Sequence, residues 1–388
     1  MLVQNAALWV AGFLGGRPRK RTRGCGYRIL LTGRFESDNW VLAHLRPLSA
    51  SERCSRLQVV TTYRLPAIHK VEAIYPPRWL VMAVGQTFAR LAVFAWVAVR
   101  TRPDIVGGFH LLINGLVTVV VARLVRARSL YFCVGGPGEM IDGGVWQENK
   151  FFAKMLTPDP VVERRLLRAV AACDLIVTMG SRAKQFFRHN GVESDIHVIS
   201  GGIDAKQFVP GNGTRSIDLI IVGRVVEIKR IDVCVNAIRH VVDRMGSISA
   251  VVVGDGPLRA YLERLSADLG VSGCVSFVGH QENVPEWLNR SKVFVLTSDS
   301  EGLSLALMEA MMCGLPAIVS NVGELGELVQ DGINGFLVER RQPGQFADRL
   351  VMLLTDEQRL SAFSCAARRS AMRYETSSAV REWDRILA

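Results

Sequence analysis

Along the 388 residues, short β-branched and aliphatic runs alternate with longer stretches that read as helical. YRILLTG, LQVVTT, DIVGG, SLYFCVGG, DLIVTM and IHVIS fall in the first half; IDLIIVG, AVVVG, CVSFVG, VFVLTS and PAIVS fall in the second. Apolar runs separated by helical segments are the signature of parallel βα units. The pattern predicts an α/β protein with the same doubly wound, Rossmann-like domain used twice. Near residues 200 to 217, SGGIDAKQFVPGNGTRS lacks periodicity and is rich in Gly, Pro and polar residues, which marks a boundary. The expected divisions are an extension over 1–25, domains over 26–205 and 206–370, and a C-terminal helix over 371–388. In open α/β sheets ligands bind beyond the carboxyl ends of the strands, so two such domains facing one another make a cleft lined by strand-end motifs.

Two segments depart from this rhythm. ALWVAGFLGG followed by RPRKRTR has its apolar block before the basic one and is too short to span a bilayer; an interfacial anchor or an extension ahead of the first strand fits. WLVMAVGQTFARLAVFAWVAVR, residues 79–100, is long enough to span, but Arg90 near its middle would cost about 2.5 to 3.5 kcal/mol in the bilayer, which favours a buried or surface-lying helix.

Charge sharpens the division. The net charge is +11, with 29 basic and 14 acidic residues up to Arg215 against 18 and 22 afterwards. The basic half suits an anionic membrane surface, a phosphorylated acceptor or nucleic acid. The eight cysteines form no C-x-x-C pair and have no histidines at zinc spacing, so they are expected as buried, reduced thiols in the cytosol.

Three strand-end motifs carry candidate chemistry. In GRVVEIKR (223–230), after IDLIIV, Gly223 permits a tight turn while Arg224 and Lys229 bring cations to a position suited to a diphosphate. GDGPLRAYL (254–262) is a second Gly-rich strand-to-helix turn. In SDSEGLSLALMEAMMCGLPAIVS (298–320), Glu301 and Gly302 form a turn. A helix expected to open at about Leu303, with Ser304 in its first turn, points free N–H groups and its positive end at an anion. Gly314 and Pro316 stop that helix. Glu309 lies more than a turn inside it among apolar neighbours. Eight residues of helix span at most about 12 Å, a separation that lets Glu301 hold a sugar and Glu309 a ribose on either side of a diphosphate. Asp299-Ser300-Glu301 superficially resembles a metal-binding D-x-D, but the helix N-terminus makes a metal unnecessary, and neither metal nor cofactor is expected.

The run E-G-L-S-L-A-L-M-E-A-M-M-C-G-L-P, with its glutamates eight apart and closing G-x-P, resembles the signature of the retaining group 1 (family 4) glycosyltransferases of GT-B fold. VISGGIDAKQFVP, IIVGRVVEIKRID, VVVGDGPL, VSFVGH and VGELGELVQDGINGFLV follow the family's order. The resemblance implies an acceptor-binding first domain, a donor-binding second domain, and a C-terminal helix crossing back to the first. Glu301 would bind donor-sugar hydroxyls, and Glu309 the ribose. Arg224 and Lys229 would neutralise the diphosphate, while Gly223, Gly302, Leu303 and Ser304 would also border the donor. Val278, Gly279 and His280 would pack on the base. His110, after the strand in PDIVGGFHLLINGLVTVV, would be the first domain's active-site histidine; Gly33 and Gly136 would lie on the acceptor side. Departures from the family pattern include a single Gly33 in TGRFESDNW, Arg230 where glycine is common, and Glu324 after Gly323.

The implied reaction is transfer of a sugar, with retention, from a nucleoside-diphosphate sugar to an acceptor hydroxyl. The acceptor is expected to be a lipid-linked surface glycan or another anionic molecule, met by a cytoplasmic enzyme peripherally bound at the inner face of the membrane, with no nucleic-acid partner. The nearest alternative is a sugar-nucleotide epimerase or hydrolase of the same fold. A nicotinamide-dependent oxidoreductase would need G-x-G-x-x-G after the first strand, where TGRFES stands.

Overall fold

The computed structural model describes residues 26–35, 37–139 and 159–388. The expected N-terminal anchor lies outside them, as does most of the Gly- and aromatic-rich segment 134–152. The chain divides into two compact units, one running to Gly202 and completed by Thr376–Ala388, the other Ile203–Glu375. The boundaries therefore fall at 202/203 and 375/376 rather than at 205/206 and 370/371. Local hydrogen bonds place them there. Gly202 N–H donates to the Ala43 carbonyl within the first unit, and Ile203 N–H donates to the Tyr374 carbonyl within the second.

The first unit holds a seven-stranded sheet of β1 (Tyr27–Thr32), β2 (Cys54–Val60), β3 (Val71–Ile74), β4 (Ile105–Phe109), β5 (Arg128–Cys133), β6 (Leu175–Thr178) and β7 (Asp195–Val198). Their order is β3-β2-β1-β4-β5-β6-β7, parallel throughout. Alternate residues of β1 enter different cores, Ile29 and Leu31 on one side and Leu30 on the other. This is why its sequence is apolar without a break. The C-terminal helix Thr376–Ile386 belongs to this unit: Trp383, 1% exposed, packs 5.8 Å from Phe132. Asp384 accepts from the Ser51 hydroxyl at 2.6 Å and from Glu52 N–H at 3.1 Å.

The helix Arg78–Thr101 follows β3 and is broken at Gly85 (φ 80°, ψ 162°). By length and composition it could cross a membrane. Past the break, Phe94, Val97 and Ala98 lie in the core beside Leu30, Val60 and Val106, and Arg90 is buried with them. The part around the break presents Trp79, Met82 and Phe88, which are 69, 87 and 70% exposed.

The second unit holds β8 (Ile217–Val222), β9 (Ala250–Val253), β10 (Val275–Gly279), β11 (Ser291–Leu296), β12 (Ala317–Ser320) and β13 (Gly335–Val338). They form a parallel sheet in the order β10-β9-β8-β11-β12-β13. Leu219, Ile221, Val252, Val295 and Ile318 pack on Ile238 and Val241 of the helix Ile231–Met245 and on Phe346 and Leu350 of Pro343–Leu354. Neither β3 nor β13 stands among the runs picked out by hydrophobic pattern. Both are four-residue strands at sheet edges.

Among the described cysteines, Cys54, Cys133, Cys173, Cys234 and Cys313 are free and buried, while Cys365 is exposed, unlike the expectation for the set. Burial pushes the Cys54 thiol up to about 11, and those of Cys173, Cys234 and Cys313 up to about 12, so these thiols stay protonated and unreactive.

Candidate active site

Each sheet reverses its strand order once, between β1 and β4 and between β8 and β11. Loops leaving adjacent strands at a reversal turn to opposite faces and open a crevice beyond the carboxyl ends. His110 and Gly33 flank the first reversal; Gly223 and Glu301 flank the second.

In the second unit the loop after β8 and the loop after β11 are stitched together. The Thr297 hydroxyl donates to the carbonyls of Lys229 (3.1 Å) and Arg230 (2.8 Å), and Asp299 N–H donates to the Ile228 carbonyl (2.9 Å). At this seam Lys229 Nζ and the Ser298 hydroxyl both donate to Glu301 Oε1, each at 2.6 Å. Lys229 and Glu301, expected to face phosphate and sugar respectively, are thus partners of one another, with side chains 19 and 11% exposed. Arg224 is exposed on the same loop. Asp299 is held bidentately by Arg341 (3.0 and 2.7 Å) and lies 3.7 Å from Arg230. It serves arginines, not a D-x-D pair with Glu301.

The following helix is Leu305–Met312, two residues later than Leu303, because Ser304 is its N-cap and its hydroxyl accepts from Leu307 N–H at 3.4 Å. Gly302, Leu303 and Ser304 therefore form the approach to the helix, whose first N–H groups face the loop carrying Glu301. Glu309 is 5% exposed, set among the buried Leu307, Met308, Ala310, Met311 and Met312 of the same helix. Burial pushes it up to about 8, so at neutral pH it holds its proton.

Two glycines make the crevice possible. A Cβ on Gly323 (φ 52°) would sit 1.8 Å from the Glu301 carbonyl oxygen, and one on Gly254 (φ 139°) would sit 1.9 Å from that of Gly223. Backbones so close admit no side chain. Glu324 is 1% exposed, and its N–H donates to the Gly302 carbonyl at 3.3 Å. Val278 and Gly279 end β10 and His280 follows it, two strands from the reversal on the same carboxyl edge. The Val278 carbonyl accepts from Gln281 Nε2 (2.8 Å) and the Gly279 carbonyl from Gly254 N–H (2.8 Å).

In the first unit His110 stands directly after β4 at φ 63°, a left-handed conformation that costs a non-glycine residue about 1 to 3 kcal/mol. Its Nδ1 lies 3.0 Å from Glu139 Oε1. Glu139 ends a one-turn helix, Pro137–Glu139, opened by Gly136 at φ 69°, so Gly136 shapes the turn that delivers Glu139. Gly33 is buried against Phe109 and Phe35. Arg90 is 5% exposed, donating from Nη1 to Thr32 Oγ1 (2.5 Å) and from Nη2 to Asn114 Oδ1 (2.8 Å). Both partners are neutral. Burial pulls the guanidinium down to about 10, so it remains a cation close to the reversal.

Sequence reasoning reached His110, Lys229, Glu301 and Glu309 but passed over Ser298, Glu139 and the placement of Arg90. Their signals were slight. Ser298 precedes Glu301 by three residues, and Glu139 sits in the turn-forming GGPGE.

Residues 216–356 match the family model of the group 1 glycosyl transferases. Among curated relatives, the chain is 33% identical to D-inositol 3-phosphate glycosyltransferase of Frankia alni over 41% of its own length and 44% of that protein's. It is 28% identical to the Streptomyces bingchenggensis protein of that name, covering 62 and 57%, and 35% identical to N-acetyl-alpha-D-glucosaminyl L-malate synthase of Bacillus anthracis, covering 36% of each. The chain thus spans about half the length of the curated relatives it matches. Among solved structures, Anabaena HepE in complex with UDP and glucose superposes with a TM-score of 0.72 at 17% identity, covering 93% of this chain and 99% of that one. Sucrose-phosphate synthase of Thermosynechococcus elongatus gives 0.71 at 16%, covering 92 and 98%. Residues 216–356 are accordingly a group 1 glycosyltransferase domain, and the chain that carries it has the GT-B fold.

Proposed function

We propose that the chain transfers a sugar from a nucleoside-diphosphate sugar to a hydroxyl of an anionic acceptor, with retention of configuration and without a metal ion. The observation that carries this reading is the Lys229–Glu301–Ser298 cluster at the N-terminus of Leu305–Met312, with the buried Glu309 carboxyl one turn further in. An arriving diphosphate takes Lys229 from Glu301, joined by Arg224 and the helix N–H groups. Glu301 then turns to the sugar hydroxyls. As the glycosidic bond lengthens, negative charge grows on the phosphate faced by these groups, and positive charge grows on the ring beside Glu301. Stabilisation is greatest when the bond is breaking. UDP is the first nucleotide to test, because HepE was solved with it.

An anionic acceptor is supported by the basic first half of the chain and by buried Arg90 near the first unit's reversal. The names of the relatives point the same way, since D-inositol 3-phosphate and L-malate are both anions. A lipid-linked glycan at the inner face of the membrane fits the exposed Trp79, Met82 and Phe88 beside Arg78, an apolar patch with a basic neighbour suited to an anionic bilayer.

The test is a screen of UDP-sugars against phosphorylated and lipid-linked acceptors, with the product anomer read by NMR. Glu301→Ala is expected to lose about 100-fold or more in kcat while its circular dichroism is unchanged, and EDTA is expected to leave turnover intact. Normal turnover in that variant would remove Glu301 from the mechanism; loss of turnover with EDTA would overturn the metal-free account.

A further inference from the structure

The carboxylate of Glu139 gathers four donors. Oε1 faces His110 Nδ1 at 3.0 Å and accepts from Gly135 N–H at 2.6 Å; Oε2 accepts from Leu111 N–H at 3.1 Å and from the Tyr131 hydroxyl at 2.9 Å. Its side chain is only 8% exposed, whereas that of His110 is 42% exposed. Burial pushes the Glu139 carboxyl up, but the charge and hydrogen bond of His110, together with the bonds from Gly135 and Tyr131, outweigh it and leave the group below the usual carboxylate range. An ionised carboxylate only accepts, so the proton of the shared bond belongs to His110 Nδ1, and when the ring is in its neutral form Nε2 is the acceptor.

One carboxylate thereby fixes the ring, through Nδ1, and the backbone that follows it, through Leu111 N–H. That backbone needs holding, since His110 sits in the left-handed region. Room for the carboxylate comes from Gly135, where a Cβ would lie 2.8 Å from Glu139 Cγ.

We propose that Glu139 is a positioning residue, holding His110 in its Nδ1–H form and fixing its ring so that Nε2 accepts a hydrogen bond from a substrate hydroxyl during transfer. This rests on the reading of the chain as a sugar transferase for the identity of the hydroxyl, but not for the state of the ring. Among the described residues, other titratable or charged groups on neighbouring elements include Tyr131 and Cys133 on β5, Arg90, which bonds Asn114, and His44 on the helix Asp38–Ala50. His44 packs against Phe109 and is pushed down to about 4, chiefly by burial, so it adds no charge near neutrality. Among the described residues Glu139 is an anion bonded to the ring, and removing its charge should make His110 harder to protonate.

The test uses the full chain labelled with 15N-histidine, with His110→Asn identifying the signal. Wild type is expected to show the Nδ1–H tautomer. In Glu139→Gln the titration midpoint of His110 should fall by at least about one pH unit. The acid limb of kcat/KM should move down with it, and kcat/KM should drop about 10- to 100-fold, as for loss of a hydrogen bond to a charged group. Gly135→Ala, which displaces Glu139 without altering its chemistry, should shift the midpoint in the same direction. It also serves as the second probe if the Gln variant does not fold. An Nε2–H tautomer in wild type, or an unchanged midpoint in a folded variant, overturns the proposal. If no UDP-sugar supports transfer, the transferase reading falls, while the ring measurements still decide the role of Glu139.

Discussion

Glu309→Gln tests the second unit's site at the point where burial and binding oppose each other. Glu309 is 5% exposed and is pushed by burial from 4.5 to about 8. Because the folded value is raised, the folded chain keeps a proton that the unfolded chain releases above pH 4.5. The stabilisation is fully present below that pH and is lost as pH rises toward 8. At about 1.4 kcal/mol per tenfold, the whole span amounts to roughly 5 kcal/mol, and the stretch from pH 5 to 8 to roughly 3.5 kcal/mol. Glutamine has nearly the same shape and does not titrate. Urea unfolding at pH 5, 6.5 and 8 should therefore show the variant gaining on wild type by that amount as pH rises, since other titrating groups cancel in the difference. Nucleotide binding should run the other way. Ribose hydroxyls donate to the ionised carboxylate, so UDP binding to wild type at pH 7 should release close to one proton, measured by calorimetry in buffers of different ionisation enthalpy. The Gln variant should release none from this site and bind about 10- to 100-fold more weakly at pH 8. Parallel stability profiles for the two chains, or wild-type binding with no more proton release than the variant, would refute the reasoning.

Gly323→Ala leaves every functional side chain in place, yet its Cβ would meet the Glu301 carbonyl oxygen at 1.8 Å from a left-handed backbone. It should cost about 1 to 3 kcal/mol of stability and abolish measurable UDP binding, as thermal unfolding and calorimetry would report. Replacing Trp79, Met82 and Phe88 together by Ser should lower partition into anionic vesicles at least 100-fold, at about 1.5 kcal/mol or more for each large apolar side chain buried. Flotation at low and high salt separates this apolar part, which persists, from the basic part, which salt screens.

Hydrophobic runs disclosed both sheets because strands covered on two faces are apolar without interruption, as the alternate burial of Ile29, Leu30 and Leu31 illustrates. Where that condition weakens, the pattern does too. In β3, VEAI is only partly buried at the sheet edge and includes a glutamate bonded to Arg56 and Gln58. The helix after β11 starts at Leu305 because the Ser304 hydroxyl, not an apolar side chain, sets its first turn. Residues 79–100 could not be resolved by composition alone. Gly85 in a left-handed conformation breaks a continuous apolar stretch into a core helix and an exposed face.

The two crevices differ in how much of their chemistry is local in sequence, and this governs what could be read. Glu301, Ser298 and the helix start fall within one strand-to-helix connection, so their spacing carries a recognisable pattern. What spacing omits is state. Glu301 is engaged by Lys229 from the loop after another strand, and Glu309 holds its proton because five of the helix's other seven residues are buried with it. In the first unit the decisive pair is 29 residues apart and meets only because β4 and β5 pair in register, Phe109 opposite Phe132. That register sets His110 beside the turn that follows β5, where Gly135 leaves space for Glu139. Neither residue announces the other in the chain, since a histidine after a strand and a glutamate in a glycine-rich turn are each commonplace. Their chemistry arises from the pairing of two strands, and that is why a nearly buried carboxylate, bonded to four donors, is what the structure adds to the reading of His110.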